Sequence, residues 1–328
     1  MSLGLLLRRW LARHVRNPAM IRRSVRWLTC AFPLPYLFRF RLARWTNLLT
    51  LDSGVDPEVQ VVHDGLHLTL DLRDHVQWVT YYLRTHEPHV LMTLCALLRP
   101  EQSFVDLGAH IGLYALYAGQ FYRRQGLNAL RVLAVEPNPA LFERLQQHIA
   151  VNTLSTIVQA VGCAVGDHDG VTSLYLSGWP NAANSALRDL RGDHPHTQDG
   201  RVIPVRLARL DSLIAVSGLL RPVGVLKADI EGAELEAFRG ATALLAEDHP
   251  FVIFEAHSVW MRRFGYTLSE MLRFWDAQHY TCFAIGQDNV LRPLRPSDAE
   301  QHLHAVMDCL AVHEAQIPTL ASKLRAYL

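Results

Sequence analysis

Lysine is almost missing from this chain of 328 residues: only Lys227 and Lys323 occur, and arginine supplies the rest of the 32 basic side chains. Cysteine is sparse and shows no pairing pattern. Cys30, Cys95, Cys163, Cys282 and Cys309 are scattered without a Cys-x-x-Cys, which argues against a disulfide framework and a structural zinc site and fits a reducing, cytoplasmic setting. No run approaches the roughly 18 to 20 apolar residues that a membrane-crossing helix needs. The nearest, WLTCAFPLPYLF from Trp27 to Phe38, is short and holds Pro33 and Pro35. The start also lacks the basic, apolar and small-residue order of a signal peptide. A net charge of +1 gives no sign of a nucleic-acid partner. There is no internal repeat and no low-complexity tract. What remains is a soluble chain, half apolar, large enough for one sizeable core with a smaller attached segment.

The near-neutral total hides an asymmetry. Met1 to Leu51 contains ten arginines, no lysine and no acidic residue, which leaves 22 basic and all 31 acidic side chains to the rest. Leu3, Leu6, Leu7 and Trp10 recur at helical spacing beside a stripe of Arg9, Arg13 and Arg16, so residues 3–16 read as a basic amphipathic helix. Pro18 interrupts it, and a second basic run spans Ile21 to Leu28. Two readings stand side by side. One is peripheral contact with an anionic membrane surface, and the other is a helix docked on the protein with its arginines in water. Residues 1–51 are therefore expected to be a basic helical extension.

Residues 52–100 lead onward. VQVVHDGLHLTLDL alternates around Asp64-Gly65, which predicts a β-hairpin, and residues 87–98 read as a helix bracketed by Pro88 and Pro100. From 101 to 328 short apolar runs alternate with helical stretches: FVDLG, LRVLAVE, IVQAVGCAVG, VGVLKAD, FVIFEAH, TCFAIG and AVMDCLAV. Such alternation implies an α/β, Rossmann-like domain with a mostly parallel sheet flanked by helices. Ligands of these sheets bind beyond the carboxyl ends of the strands, so the last residues of each run carry the chemistry.

FVDLGAHIGLYAL places Asp106 at a strand end, Gly108, His110 and Gly112 in a turn, and a helix directly after. The glycine spacing is G-x-x-x-G, not the G-x-G-x-x-G of a dinucleotide pyrophosphate site. LRVLAVEPN ends in Glu136, a carboxylate suited to both hydroxyls of a ribose. The third run leads to Asp167, which reads either as an adenine-side contact or as a turn with Gly170. VLKADIEGAELEAFRGA is the densest signal: a period of two sends Lys227, Asp229 and Glu231 to one face before Gly232 turns the chain and Glu234 starts a helix expected to run to about Leu245. Charged groups converging at a strand end are costly to desolvate unless paired or used. FVIFEAH ends likewise in Glu255 and His257. Weaker candidates are Asn181, Asn184 and Ser185 in the polar stretch 177–200, the His194-x-His196 pair, and Trp179, Trp260 and Trp275.

VDLGAHIGLYAL, AVEPNP, LDSLI, LKADIEGAELEAFRGA and FVIFEAH together resemble the FkbM-like methyltransferases over about Glu87 to His257, with His110 where that family commonly has Asn. The resemblance implies a class I methyltransferase fold and S-adenosylmethionine as cofactor. Asp106, Gly108, His110 and Gly112 would form the cofactor turn, Glu136 the ribose acceptor, Asp167 an adenine-side contact, and Asp229, Glu231 and Glu255 the reaction centre. It also implies a hydroxylated small-molecule or glycan acceptor, methylated on oxygen. A general base aids such a transfer, and Asp229, Glu255 or His257 can supply it, with Lys227 keeping the carboxylates ionised. A divalent cation shared by Asp229 and Glu255 is the alternative. A nicotinamide oxidoreductase is the rival enzyme, disfavoured by the missing third glycine and by the lack of any Tyr-x-x-x-Lys. A tethered, non-catalytic cofactor-binding scaffold is the rival outside enzymology, disfavoured by the intact carboxylates.

Overall fold

The computed structural model describes residues 17–32, 34–176, 185–187, 201–297 and 306–320. The expected helix 3–16 and most of the polar stretch 177–200 lie outside them. Two compact units divide between Glu87 and Pro88.

In the first unit, α1 (Pro18–Ala31) starts where Asn17 accepts from the Met20 amide and Pro18 occupies the first turn, a position that has no use for an N–H. α2 (Tyr36–Asp52) follows the proline-containing corner. The predicted hairpin is β1 (Glu58–His63) and β2 (Leu66–Asp71), turning through Asp64 and Gly65, both at positive φ. Leu66, Leu68 and Leu70 are buried on one face of β2, as the period of two requires. α3 (His75–Leu83) is capped by Asp74, which accepts from the Gln77 amide. Part of the basic run on α1 is internal structure: Arg22 is buried and donates to the Asp56 carbonyl, Arg26 donates to the Tyr81 carbonyl, and Thr29 donates to the Tyr82 carbonyl.

In the second unit, α4 (Pro88–Leu97) precedes β3 (Ser103–Leu107), α5 (Leu113–Arg124), β4 (Val132–Val135), α6 (Pro139–Val151) and β5 (Val158–Val161). After an excursion come α7 (Leu210–Ser217), β9 (Val223–Ala228), α8 (Glu234–Arg239), α9 (Thr242–Asp248), β10 (Phe251–His257), α10 (Ser258–Arg263), α11 (Leu268–Ala277), β11 (Tyr280–Ile285), β12 (Leu291–Leu294) and β13 (Val306–His313). The eight-stranded sheet runs β12-β11-β13-β10-β9-β3-β4-β5, with β10, β9, β3, β4 and β5 parallel and β13 antiparallel to both neighbours. The parallel strands are apolar without alternation because both faces are covered. Phe238, Phe254 and Trp275 pack together in the core, which places the weak site candidate Trp275 inside the hydrophobic interior. Successive strands run β3, β4, β5 to one side of β3, and the chain then resumes at β9 on the other. The crevice at the carboxyl ends of β3 and β9 is thus the topological switch point.

Two sequence expectations need correction. IVQAVGCAVG is not one strand: β5 ends at Val161, and after Gly162 and Cys163 the chain pairs as β6 (Ala164–Val165) in a second sheet with β7 (Gly170–Tyr175) and β8 (Val202–Ala208). The helix expected to run to about Leu245 is two helices, broken at Gly240. A side chain at Gly240 would overlap the Gly166 carbonyl oxygen, and Asp211 caps the second helix through the Ala243 and Leu244 amides.

Candidate active site

Every strand flanking the switch point ends in a charged group. Asp106, on the last turn of β3, is fully buried, and neither carboxylate oxygen meets a hydrogen-bond donor in bonding geometry among the described residues. Burial lifts its pKa to about 6, against the pull of the Lys227 ammonium in register on β9. The turn that follows is left-handed at Gly108, His110 and Gly112. At Gly108 the glycine is obligatory, since a Cβ there would overlap the carbonyl oxygen of Asp229.

His110 contributes its backbone: its amide donates to Glu136 Oε2 at 2.8 Å. Glu136 Oε1 accepts from the Asn138 amide at 2.8 Å, so the carboxylate at the end of β4 is fixed by two backbone donors. Burial raises its pKa, and those two amides oppose the rise. Each carboxylate oxygen retains a further lone pair for a ligand hydroxyl. Asn138 also reaches Ser185 at 3.3 Å, which brings that weaker candidate beside Glu136.

On β9, Lys227 is buried with its Nζ 3.1 Å from Asp229 Oδ2 and 4.6 Å from the centre of the Tyr114 ring. Glu231 departs from the expected pattern. The strand ends at Ala228, so the period of two no longer applies, and Glu231 sits in a left-handed turn with φ 57° ahead of Gly232. Sequence reasoning missed what holds this turn. Glu234 folds back to accept from the Ile230 amide at 3.0 Å and the Gly232 amide at 3.3 Å, while Tyr266 donates its hydroxyl to the Gly232 carbonyl at 2.9 Å and to Glu234 Oε2 at 3.2 Å. Burial brings Glu234 to a pKa of about 7.

Glu255 lies on β10 directly across from Asp308 on β13. Opposite residues of an antiparallel pair share a face, so their carboxyls face each other. Burial first, then the charges of Asp229, Glu231, Glu234 and Asp308, push Glu255 well above the usual carboxylate range. Asp308 in turn meets His89 Nε2 at 2.7 Å, a pairing across 219 positions that no motif announces. His257 closes β10 with its ring 4.7 Å from that of the buried Trp260.

The structure therefore brings Asp106, Gly108, His110, Gly112, Glu136, Lys227, Asp229, Glu231, Glu255 and His257 to one row of strand ends. Asp167 does not join them. It follows β6 in the second sheet, half exposed and 2.6 Å from His168. Trp179, Asn181, Asn184, His194 and His196 lie outside the described residues. Among the described residues no group of three or more His, Cys, Asp or Glu converges to hold a metal ion, and Lys227 already engages one Asp229 oxygen that a cation would need.

Comparison with known proteins matches this region. Residues 106–282 match the methyltransferase FkbM domain. The chain is 32% identical to Methyltransferase 1 of Beauveria bassiana over 155 residues, which is 43% of this chain and 59% of that protein. It is 28% identical to the hexuronic acid methyltransferase AglP of Haloferax volcanii over 174 residues, 52% of this chain and 63% of the relative. The chain thus spans about six-tenths of the length of the curated relatives it matches. The crystal structure of methyltransferase FkbM from Methylobacillus flagellatus KT is 19% identical, covering 93% of this chain and 60% of that one with a TM-score of 0.41.

Proposed function

The chain belongs to the FkbM methyltransferase family, and from that premise we propose that it transfers a methyl group from S-adenosylmethionine to a hydroxyl oxygen of a sugar, glycolipid or other hydroxylated metabolite. The residues present fit the cofactor. Asp106 offers a cationic or N–H-bearing group two buried oxygens that meet no donor in bonding geometry among the described residues, Gly108 keeps the turn clear of side chain, and Glu136 is pinned by two amides with lone pairs to spare for ribose hydroxyls. When bound, S-adenosylmethionine supplies a methyl group on a sulfonium centre, which needs neither a metal nor a redox partner to leave.

Glu255 carries the oxygen-methylation reading. Among the described residues it has no cation and no hydrogen-bond donor, and it is surrounded by like charges. A carboxylate in that position binds a proton more strongly than usual. It takes the acceptor's hydroxyl proton as the oxygen attacks, a role that a raised proton affinity favours. Asp229 is less suited, because Lys227 already engages one of its oxygens at 3.1 Å. Tyr266 and Glu234 lock the turn that presents Glu231, and Lys227 is steadied by the Tyr114 ring. Burial of the strand ends excludes bulk water, leaving alignment of the acceptor as the main task of the remaining side chains. A hexuronic acid is the substrate named for one relative, and a glycan hydroxyl is in keeping with that. The five free thiols suit a cytoplasmic enzyme.

Transfer of label from S-adenosylmethionine to hydroxylated glycans, alcohols and amines tests this reading. Glu255→Gln is expected to lower kcat on hydroxyl acceptors by about a hundredfold to ten-thousandfold while cofactor affinity holds. Full turnover in that variant, or a preference for amines, would remove the assignment.

A further inference from the structure

The corner between α1 and α2, the same WLTCAFPLPYLF stretch that is too short to cross a membrane, presents its largest apolar side chains outward. Trp27 is 62% exposed, Leu37 67% and Phe38 54%, with Phe32 and Tyr36 about half exposed beside them. Trp27 and Phe32 meet edge to face at 5.1 Å at the end of α1, and Tyr36, Leu37 and Phe38 open α2 four residues later. A contiguous apolar patch of this kind marks an interaction surface. Around it Arg23, Arg41 and Arg44 are exposed, whereas Arg22 and Arg26 are consumed in bonds to the Asp56 and Tyr81 carbonyls. No acidic residue occurs before Asp52.

We propose that this corner docks the protein on an anionic lipid bilayer, with Trp27, Leu37 and Phe38 entering the interface and Arg23, Arg41 and Arg44 at the headgroups. Charge complementarity selects a lipid surface. An arginine-rich segment with no carboxylate of its own complements an anionic plane, and tryptophan and tyrosine prefer the headgroup level because their rings have one polar edge. Among the described residues no helix is long and apolar enough to cross a membrane, so the contact lies in the interface plane. The inference is independent of the chemistry assigned to Glu255.

The test uses the full chain with vesicles of phosphatidylcholine alone and of phosphatidylcholine mixed with phosphatidylglycerol. Wild type is expected to sediment with the anionic vesicles and to release as salt rises. Replacing Arg23, Arg41 and Arg44 together by Gln should weaken that binding on the order of a hundredfold, at about fivefold per arginine. Replacing Trp27, Leu37 and Phe38 together by Ser should weaken it at least about tenfold, with the circular-dichroism spectrum unchanged because all three are exposed. Should the triple variant fold poorly, quenching by brominated lipid of the fluorescence that Trp27→Phe removes answers the same question. Equal binding by all variants, no preference for anionic vesicles, or a wild-type dimer that the serine variant converts to monomer would overturn the proposal, the last by assigning the patch to a second copy of the chain.

Discussion

Asp106→Asn separates what the fold needs from what the cofactor needs. The wild-type carboxyl is fully buried, neither oxygen meets a donor in bonding geometry among the described residues, and burial raises its pKa from an ordinary 3.8 to about 6 against the pull of Lys227 and the Ala115 amide. That rise corresponds to roughly 3 kcal/mol. Because the folded-state value lies above the unfolded one, the stability linked to this group is complete below the unfolded pKa. It is lost as pH climbs through about 6. An amide does not titrate, so stability of the variant relative to wild type should improve by about 2.4 kcal/mol between about pH 4 and pH 8. Any constant cost of an unsatisfied amide, about 1–3 kcal/mol, shifts the difference without tilting it. Urea unfolding of the ligand-free chain across that range reads the tilt as a change in midpoint at constant m. Added S-adenosylhomocysteine should then reverse the order: wild type gains about 2.7 kcal/mol at a hundredfold excess over Kd, and the variant does not. A stability difference independent of pH, or one that favours wild type as pH rises, would refute the argument that Asp106 is held unpaired for a ligand.

Gly108→Ala sets a Cβ against the Asp229 carbonyl in a backbone with φ 76°, where neither side can yield cheaply. A stability loss of about 1–3 kcal/mol and a loss of S-adenosylhomocysteine affinity beyond tenfold are expected, read by thermal unfolding and titration. Tyr266→Phe removes the hydroxyl shared by Gly232 and Glu234 and should cost about 1–3 kcal/mol in urea unfolding, whereas a neutral result would show that the turn is held by the amides alone. Asp308→Asn deletes a like charge facing Glu255, so the Glu255 carboxyl should ionise more readily and the acidic limb of kcat/KM should move to lower pH. An unmoved limb would show that another group sets it.

The parallel sheet was legible because its strands are buried on both faces and read as unbroken apolar runs, and the site was legible because each run stops at a charge. Asp106, Glu136, Lys227, Asp229 and Glu255 could be placed at strand ends from those stops alone. What escaped depends on contacts across long sequence separations. Tyr266 reaches Glu234 across 32 positions and His89 reaches Asp308 across 219, and no local pattern encodes either. The third run was read past the end of its strand because Gly162 and Cys163 interrupt IVQAVGCAVG without breaking its apolar character. Glu231 was assigned a strand's geometry one turn after the strand had ended. In the first unit, the expected helical extension gave no bounds for α2, because Arg39, Arg41 and Arg44 interleave with aromatic residues and no clean apolar stripe results.

Isothermal titration of the full chain with S-adenosylhomocysteine, repeated on Glu136→Ala and run in parallel with NAD, tests the central claim most directly. The account predicts binding to wild type, a loss of at least about tenfold in the variant whose ribose-facing carboxylate is removed, and no heat with NAD. Binding of NAD without S-adenosylhomocysteine would contradict it and place the chemistry of these strand ends in hydride transfer.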